Sequence, residues 1–171
     1  YHDPVFHEPA GAVSYPGYVT DIITDKSLAW LHARDKTRPF MLMCHHKAPH
    51  RSWEHHPKYR DHYRADIALP DTFDDDYKNR ARAAGQAKMR IADDMTYLDL
   101  GLVQPEGGAE VGEPLLPGHA TRKLPNPPDV RSLRLIDKDT AEVFTFESQV
   151  EYDHFKFQRY IKRYLRTIAS I

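Results

Sequence analysis

Hydrophobic and polar positions divide the chain into a few readable segments with irregular stretches between them. From Thr20 to Arg34, Ile22, Ile23, Leu28, Trp30 and Leu31 recur at helical spacing, and Thr20 or Asp21 is placed to cap the start. That spacing predicts a helix ending before Lys36-Thr37-Arg38 and Pro39. Phe40-Met41-Leu42-Met43-Cys44 is an unbroken apolar run. Such a run is expected of a strand buried on both faces in a helix-covered parallel sheet. A helix leading straight into it predicts one unit of an α/β sheet, incomplete and flanked by helices.

The remaining pattern is more mixed. Residues 1–17 hold Pro4, Pro9, Gly11, Pro16 and Gly17 and read as loop. His45 to Pro70 is polar, aromatic and irregular, a loop with short helical turns. Acidic Asp74-Asp75-Asp76, followed by Ala81, Ala83, Ala84 and Ala87, predicts a second helix over 75–95. Residues 101–150 read as a loop or insertion, since 101–130 is rich in proline and glycine. Within it, 133–136 and 142–146 alternate around Asp137-Lys138-Asp139 as a small hairpin. A last helix, Glu151 to Ile171, puts Phe157, Tyr160, Ile161, Tyr164, Leu165 and Ile168 on one face.

Composition narrows the function classes. A chain of 171 residues, 40% hydrophobic and 29% charged, is long enough for a real core. A net charge of −1 supplies no basic field, so nucleic acid is not an expected partner. No apolar run approaches the ~20 residues of a membrane span, and the membrane is not an expected partner either. A single cysteine, Cys44, rules out an internal disulfide framework and a multi-cysteine zinc site.

Candidate chemistry concentrates after the apolar run. Six of the eleven histidines lie between His45 and His62, and His46-Lys47-Ala48-Pro49-His50-Arg51 follows the expected strand end. Ligands of open α/β sheets bind outside the carboxyl ends of strands. Lys47, His50 and Arg51 suit an anion, and an imidazole there can protonate a leaving group near neutral pH. A solvated cationic loop fits the same composition. Zinc is a third reading, although the H-E-x-x-H helix pattern is absent.

At these residues the sequence resembles the formylglycine-dependent sulfatases, most closely those of bacteria acting on glycosaminoglycans or other sulfated glycans. The likeness is carried by Gly17-Tyr18-Val19-Thr20-Asp21 with Thr24-Asp25, then Arg38-Pro39-Phe40, then His46 to Arg51. It continues in Asp71-Thr72-Phe73-Asp74-Asp75-Asp76-Tyr77 with Arg80, and in 160–170. The resemblance implies a partial alkaline-phosphatase-like α/β fold, a calcium ion, a formylglycine nucleophile, a sulfate-ester substrate, and a periplasmic or secreted location. By position, His50 corresponds to the histidine that protonates the departing sugar oxygen, with Lys47, His46 and Arg51 as substrate contacts.

The departures are as specific as the likeness. The family nucleophile is Cys or Ser with Pro or Ala two positions on, and Cys44 is followed there by His46. The acidic pair and the Asp-Asn/Gln-Gly segment that hold calcium are absent, so no metal ligand is assigned. The expectation is an internal piece of a sulfatase, inactive alone, since clamping a sulfuryl group needs a metal and several fixed donors together. Two alternatives stand beside it: a phosphodiesterase or phosphonate hydrolase of the same superfamily, and a non-catalytic glycan-binding relic.

Overall fold

Pro9 and Ala10 turn the chain between β1 (Val5–Glu8) and β2 (Gly11–Ser14), which pair antiparallel from Val5↔Ser14 to Glu8↔Gly11. Gly11 closes the turn at φ +127°, a backbone angle that a side chain disfavours. The computed structural model describes residues 1–108 and 110–171. They divide into two units, Tyr1–His62 with Tyr164–Ile171, and Tyr63–Arg163.

In the first unit, Glu8 ties the hairpin to the following helix by accepting from Tyr15 Oη at 2.5 Å and Lys26 Nζ at 2.7 Å. That helix, α1 (Val19–Ala33), lies within one residue of its expected span. Its cap is Tyr18 rather than Thr20 or Asp21, with extended backbone and no capping side chain. The buried residues sit at its start, Tyr18, Val19 and Thr20.

The expected strand 40–44 does not form. The run is irregular, and Met41 and Met43 are 80% and 69% exposed. Among the described residues the sheets are two antiparallel pairs, with no parallel layer. A strand needs backbone partners alongside it. Among the described residues no backbone hydrogen bond joins 40–44 to another segment. The run instead lies along one face of α1: Phe40 is 5.5 Å from the Trp30 ring and 4.0 Å under the Arg34 guanidinium, and Cys44 Sγ is 3.2 Å from Ser27 Oγ.

In the second unit, the helix expected over 75–95 is broken into α2 (Arg82–Gln86) and α3 (Ile91–Asp94). Side chains compete with the helix at its start. Asp75 and Asp76 accept from the amides of Tyr77 at 2.9 Å and Lys78 at 2.8 Å, and Tyr77 and Asn79 are left-handed at φ 60°.

Residues 101–150 are mostly irregular yet carry much of this unit's core. Leu102, Leu124, Val130, Leu133, Leu135 and Phe146 are buried beside Met95, Tyr97 and Leu100. Each such apolar side chain contributes about 1.5–3 kcal/mol on leaving water. The expected hairpin is present as β3 (Leu135–Ile136) and β4 (Val143–Phe144), paired antiparallel.

The last helix, α4 (Gln149–Ala169), begins with two side-chain contacts to backbone amides. Ser148 Oγ accepts from the Glu151 amide at 3.2 Å, while the Glu151 carboxylate accepts from the Glu147 amide at 2.7 Å. Its aromatic face packs Tyr152 at 4.8 Å from Phe146 and Phe155 at 4.9 Å from Phe144. The buried stripe differs from the expected one: Lys156, Arg163 and Thr167 are inside, and Ile168 is exposed. Arg163 donates to the Asp99 carbonyl at 3.1 Å, and its guanidinium lies so near Gly101 that a Cβ there would meet it at 2.3 Å.

Candidate functional site

The segment from His45 to His56 is a loop held at several points by the rest of the first unit. Ala48 and Trp53 are buried, and the Trp53 indole N–H donates to the Pro49 carbonyl at 2.8 Å. The Trp53 ring meets Tyr164 edge-on at 6.0 Å. Further along, the His56 amide donates to Ser170 Oγ at 2.9 Å, and Tyr18 Oη donates to the Glu54 carbonyl at 3.0 Å. The loop is therefore anchored on both sides of an exposed tip.

His50 stands at that tip, exposed, with its backbone fixed. Its amide donates to the Lys47 carbonyl at 3.0 Å, and its carbonyl accepts from the Tyr1 hydroxyl. Burial, with Tyr18 and Glu54 nearby, pushes the Tyr1 phenol above its ordinary range, so it serves as a neutral donor. The His50 ring turns Nδ1 toward the Arg51 carbonyl, and Lys47 Nζ lies 3.3 Å from the same nitrogen. A carbonyl only accepts, so Nδ1 carries the proton in that contact and Nε2 is the nitrogen left for other chemistry.

The other expected contacts are partly assembled. Lys47 is exposed, its ammonium 5.7 Å over the Tyr1 ring as well as beside His50. Arg51 is half-buried and adjoins His50 through its carbonyl. His46 points elsewhere: Nε2 is 3.8 Å from Cys44 Sγ and Nδ1 is buried without a hydrogen-bond partner. The structure thus brings the Lys47 side chain to His50, joins Arg51 to them through its backbone carbonyl, and sets His46 with Cys44. For the zinc reading, no group of three His, Cys, Asp or Glu side chains converges among the described residues.

Sequence reasoning missed Tyr1 and a second constellation. His56 lies edge-on to Tyr18 at 5.3 Å, accepts the Lys58 amide on Nδ1 at 3.1 Å, and places Nε2 3.4 Å from Asp21. No periodicity links residues 1, 18, 21 and 56. The one available signal was that Tyr18 and Asp21 fall within the motif-bearing stretch Gly17-Tyr18-Val19-Thr20-Asp21.

Comparison with known proteins shows a likeness to sulfatases. Over 97 residues the chain is 41% identical to an N-acetylglucosamine-6-O-sulfatase of Bacteroides thetaiotaomicron, a stretch covering 56% of this chain and 17% of that one. The solved structure of BT4656 in complex with its substrate D-glucosamine-2-N,6-O-disulfate superimposes with a TM-score of 0.60 at 26% identity. That match covers 99% of this chain and 35% of the other. The chain is sulfatase-like in sequence and in fold. No family model matches the sequence.

The sulfatase-like chain has the α/β character expected of a partial alkaline-phosphatase-like fold, in two small sheets with helices. It spans well under half the length of either relative. The groups that the family implies do not fit the residues present. Calcium needs several convergent oxygen ligands, and no acidic cluster of that kind occurs among the described residues. Cys44 is exposed against Ser27 and His46, without the Pro or Ala of the nucleophile motif two positions on. No catalytic step is derived through either group.

Proposed function

We propose that this chain is part of the catalytic domain of a sulfatase that hydrolyses sulfate esters on glycans. In this reading His50 is the general acid: as an imidazolium it passes its Nε2 proton to the sugar oxygen as the S–O bond to the sugar breaks, and is left as the neutral Nδ1–H ring. The observation that supports the role is the mounting of the imidazole. It is exposed at a loop tip, its backbone is held through Lys47 and Tyr1, and Nδ1 is occupied by the Arg51 carbonyl. A ring held that way gives up its proton from one defined nitrogen.

Lys47 and Arg51 complete the proposed role by offering positive charge to the sulfate beside that acid, and His46 supports the loop from its Cys44 side. The nucleophile and the calcium ligands of the whole enzyme are assigned to residues other than those present here. The periplasmic or secreted location belongs to the same reading. The isolated chain is accordingly inactive.

The test compares two preparations on N-acetylglucosamine bearing a 6-O-sulfate, with released inorganic sulfate as the readout. The full-length protein containing this chain should release sulfate and the isolated chain none. Turnover of phosphodiesters in preference to sulfate esters, or sulfate release by the isolated chain, would overturn the reading.

A further inference from the structure

The second unit contains a cleft of about 960 Å³ whose walls come from 85–94 and 111–127. Small-molecule sites are typically ~300–1,000 Å³. Its charged lining is Lys88, Arg90, Asp93, Asp94, Glu113 and Lys123, three cations against three carboxylates, and no aromatic side chain takes part.

Part of that charge is already committed to structure. Lys123 Nζ pairs with Asp94 at 2.5 Å, and Asp94 also accepts the Arg90 amide at 3.0 Å. Asp93 lies at 4.0 Å from the Arg90 guanidinium, the outer limit of an ion pair. Other groups remain available. Among the described residues Lys88 and Glu113 have no side-chain hydrogen bond or ion pair, whereas the Arg90 guanidinium already donates to the Gly85 carbonyl and lies 4.7 Å over the Tyr77 ring.

The walls are rigid behind these groups. Asn126 donates to the Ala92 carbonyl at 3.3 Å and accepts from Lys156 Nζ at 3.2 Å. Lys156 is fully buried and also reaches the Ala92 carbonyl at 2.7 Å and Asp153 at 2.8 Å. On the opposite side, Gly112 lies against the Lys123 backbone so closely that a Cβ would come within 2.0 Å of its carbonyl oxygen. A site whose donors and acceptors are fixed before binding costs less ordering entropy.

A free ammonium and a free carboxylate in one lining, Lys88 and Glu113, suit a ligand with one anionic group and hydroxyl donors. Balanced charge disfavours a polyanion, which needs a net positive field. A lining without aromatic rings disfavours a flat heterocycle. We propose that this cleft binds one sulfated sugar residue of a glycan, its sulfate on Lys88 and its hydroxyls on Glu113. The proposal rests on the glycan-sulfatase reading and adds a binding site in the second unit, on residues that reading does not use.

The experiment follows backbone amide shifts of the isolated ¹⁵N-labelled chain during titration with 6-O-sulfated glucosamine, unsulfated glucosamine and inorganic sulfate. The sulfated sugar should shift amides around Lys88, Arg90 and Glu113, and bind at least about tenfold more tightly than either control. Lys88→Ala and Glu113→Gln should each weaken it severalfold while the remaining spectrum stays native. Shifts confined to 45–51 would overturn the cleft and leave the sulfatase reading standing. Equal shifts with inorganic sulfate would reduce the cleft to an anion site and overturn the sugar assignment. No shift anywhere would overturn the cleft, whereas sulfate release by the full-length enzyme would still support the parent reading.

Discussion

The ammonium of Lys47 lies 3.3 Å from Nδ1 of His50, on the same edge of the ring that faces the Arg51 carbonyl. One ring nitrogen has one in-plane position, so the two neighbours compete for it. The carbonyl has the stronger claim, because exposed Lys47 can turn its ammonium to water. The neutral ring should therefore be the Nδ1–H tautomer, read from long-range ¹H–¹⁵N spectra of the isolated chain at about pH 8. A dominant Nε2–H tautomer would show that Lys47 holds the ring and would remove the stated basis for proton delivery from Nε2.

Asp137 provides the clearest pH dependence. Burial alone would raise its carboxyl, but the Arg159 guanidinium at 2.7 Å and the amides of Thr140 and Asp139 outweigh that and lower it to about 2. A depressed carboxylate contributes stability that is complete above its unfolded value of ~3.9 and is lost as pH falls through the folded value. Melting temperature should therefore drop between about pH 4 and pH 2, and Asp137→Asn should flatten that limb. An unchanged acid limb in the variant would assign the loss to other carboxylates.

Lys156 is fully buried and fully engaged, with the Ala92 carbonyl, Asn126 and Asp153 around its ammonium. Burial pulls its pKa below the usual lysine range, and the Asp153 carboxylate opposes that. Lys156→Met removes the charge and takes the ammonium away from Asp153 and Asn126. The expected cost is about 3 kcal/mol in urea denaturation. A loss below about 1 kcal/mol would mean that water replaces the ammonium without strain.

Tyr152 tests the core built from 101–150. Its ring is fully buried against Phe146, and its hydroxyl donates to the Pro125 carbonyl at 2.9 Å. Tyr152→Phe keeps the packing and strands that carbonyl, at a cost of about 1–2 kcal/mol. Tyr152→Ala should cost about 3–5 kcal/mol. Similar losses for both would indicate that the hydroxyl, not the ring, carries the contribution.

How far these elements were legible in the sequence follows from how local their causes are. The spans of α1 and α4 and the β3–β4 hairpin were readable because periodicity and nearby polar residues define them. The β1–β2 hairpin was hidden, since four-residue strands bounded by Pro4, Pro9 and Pro16 look like loop. The helix expected over 75–95 failed where Asp75 and Asp76 bind backbone amides that a helix would use. The run 40–44 has strand composition, but a strand is a property of two segments, and its partner is not encoded in its own residues. At the site, composition alone left His50 among several equivalent histidines. The motif resemblance singled it out, and the long-range Tyr1 contact that fixes its carbonyl left no mark in the sequence.

The exposed run itself has a measurable consequence. Phe40, Met41, Leu42 and Met43 form an apolar edge with exposures from 37% to 80%. Such edges promote self-association. The isolated chain should associate with rising concentration in sedimentation velocity, and Met41→Lys with Met43→Lys should suppress it at unchanged melting temperature. Association that persists in the double variant would place the contact elsewhere.

The proposed acid role of His50 is tested most directly by His50→Ala in the full-length protein, with turnover compared on a sugar 6-O-sulfate and on para-nitrophenyl sulfate. The sugar oxygen leaves poorly unless protonated, so its turnover should fall by about 10²–10⁴-fold. The phenolate leaves without help and should lose far less. Equal losses on both substrates would contradict the assignment of His50 as the proton donor.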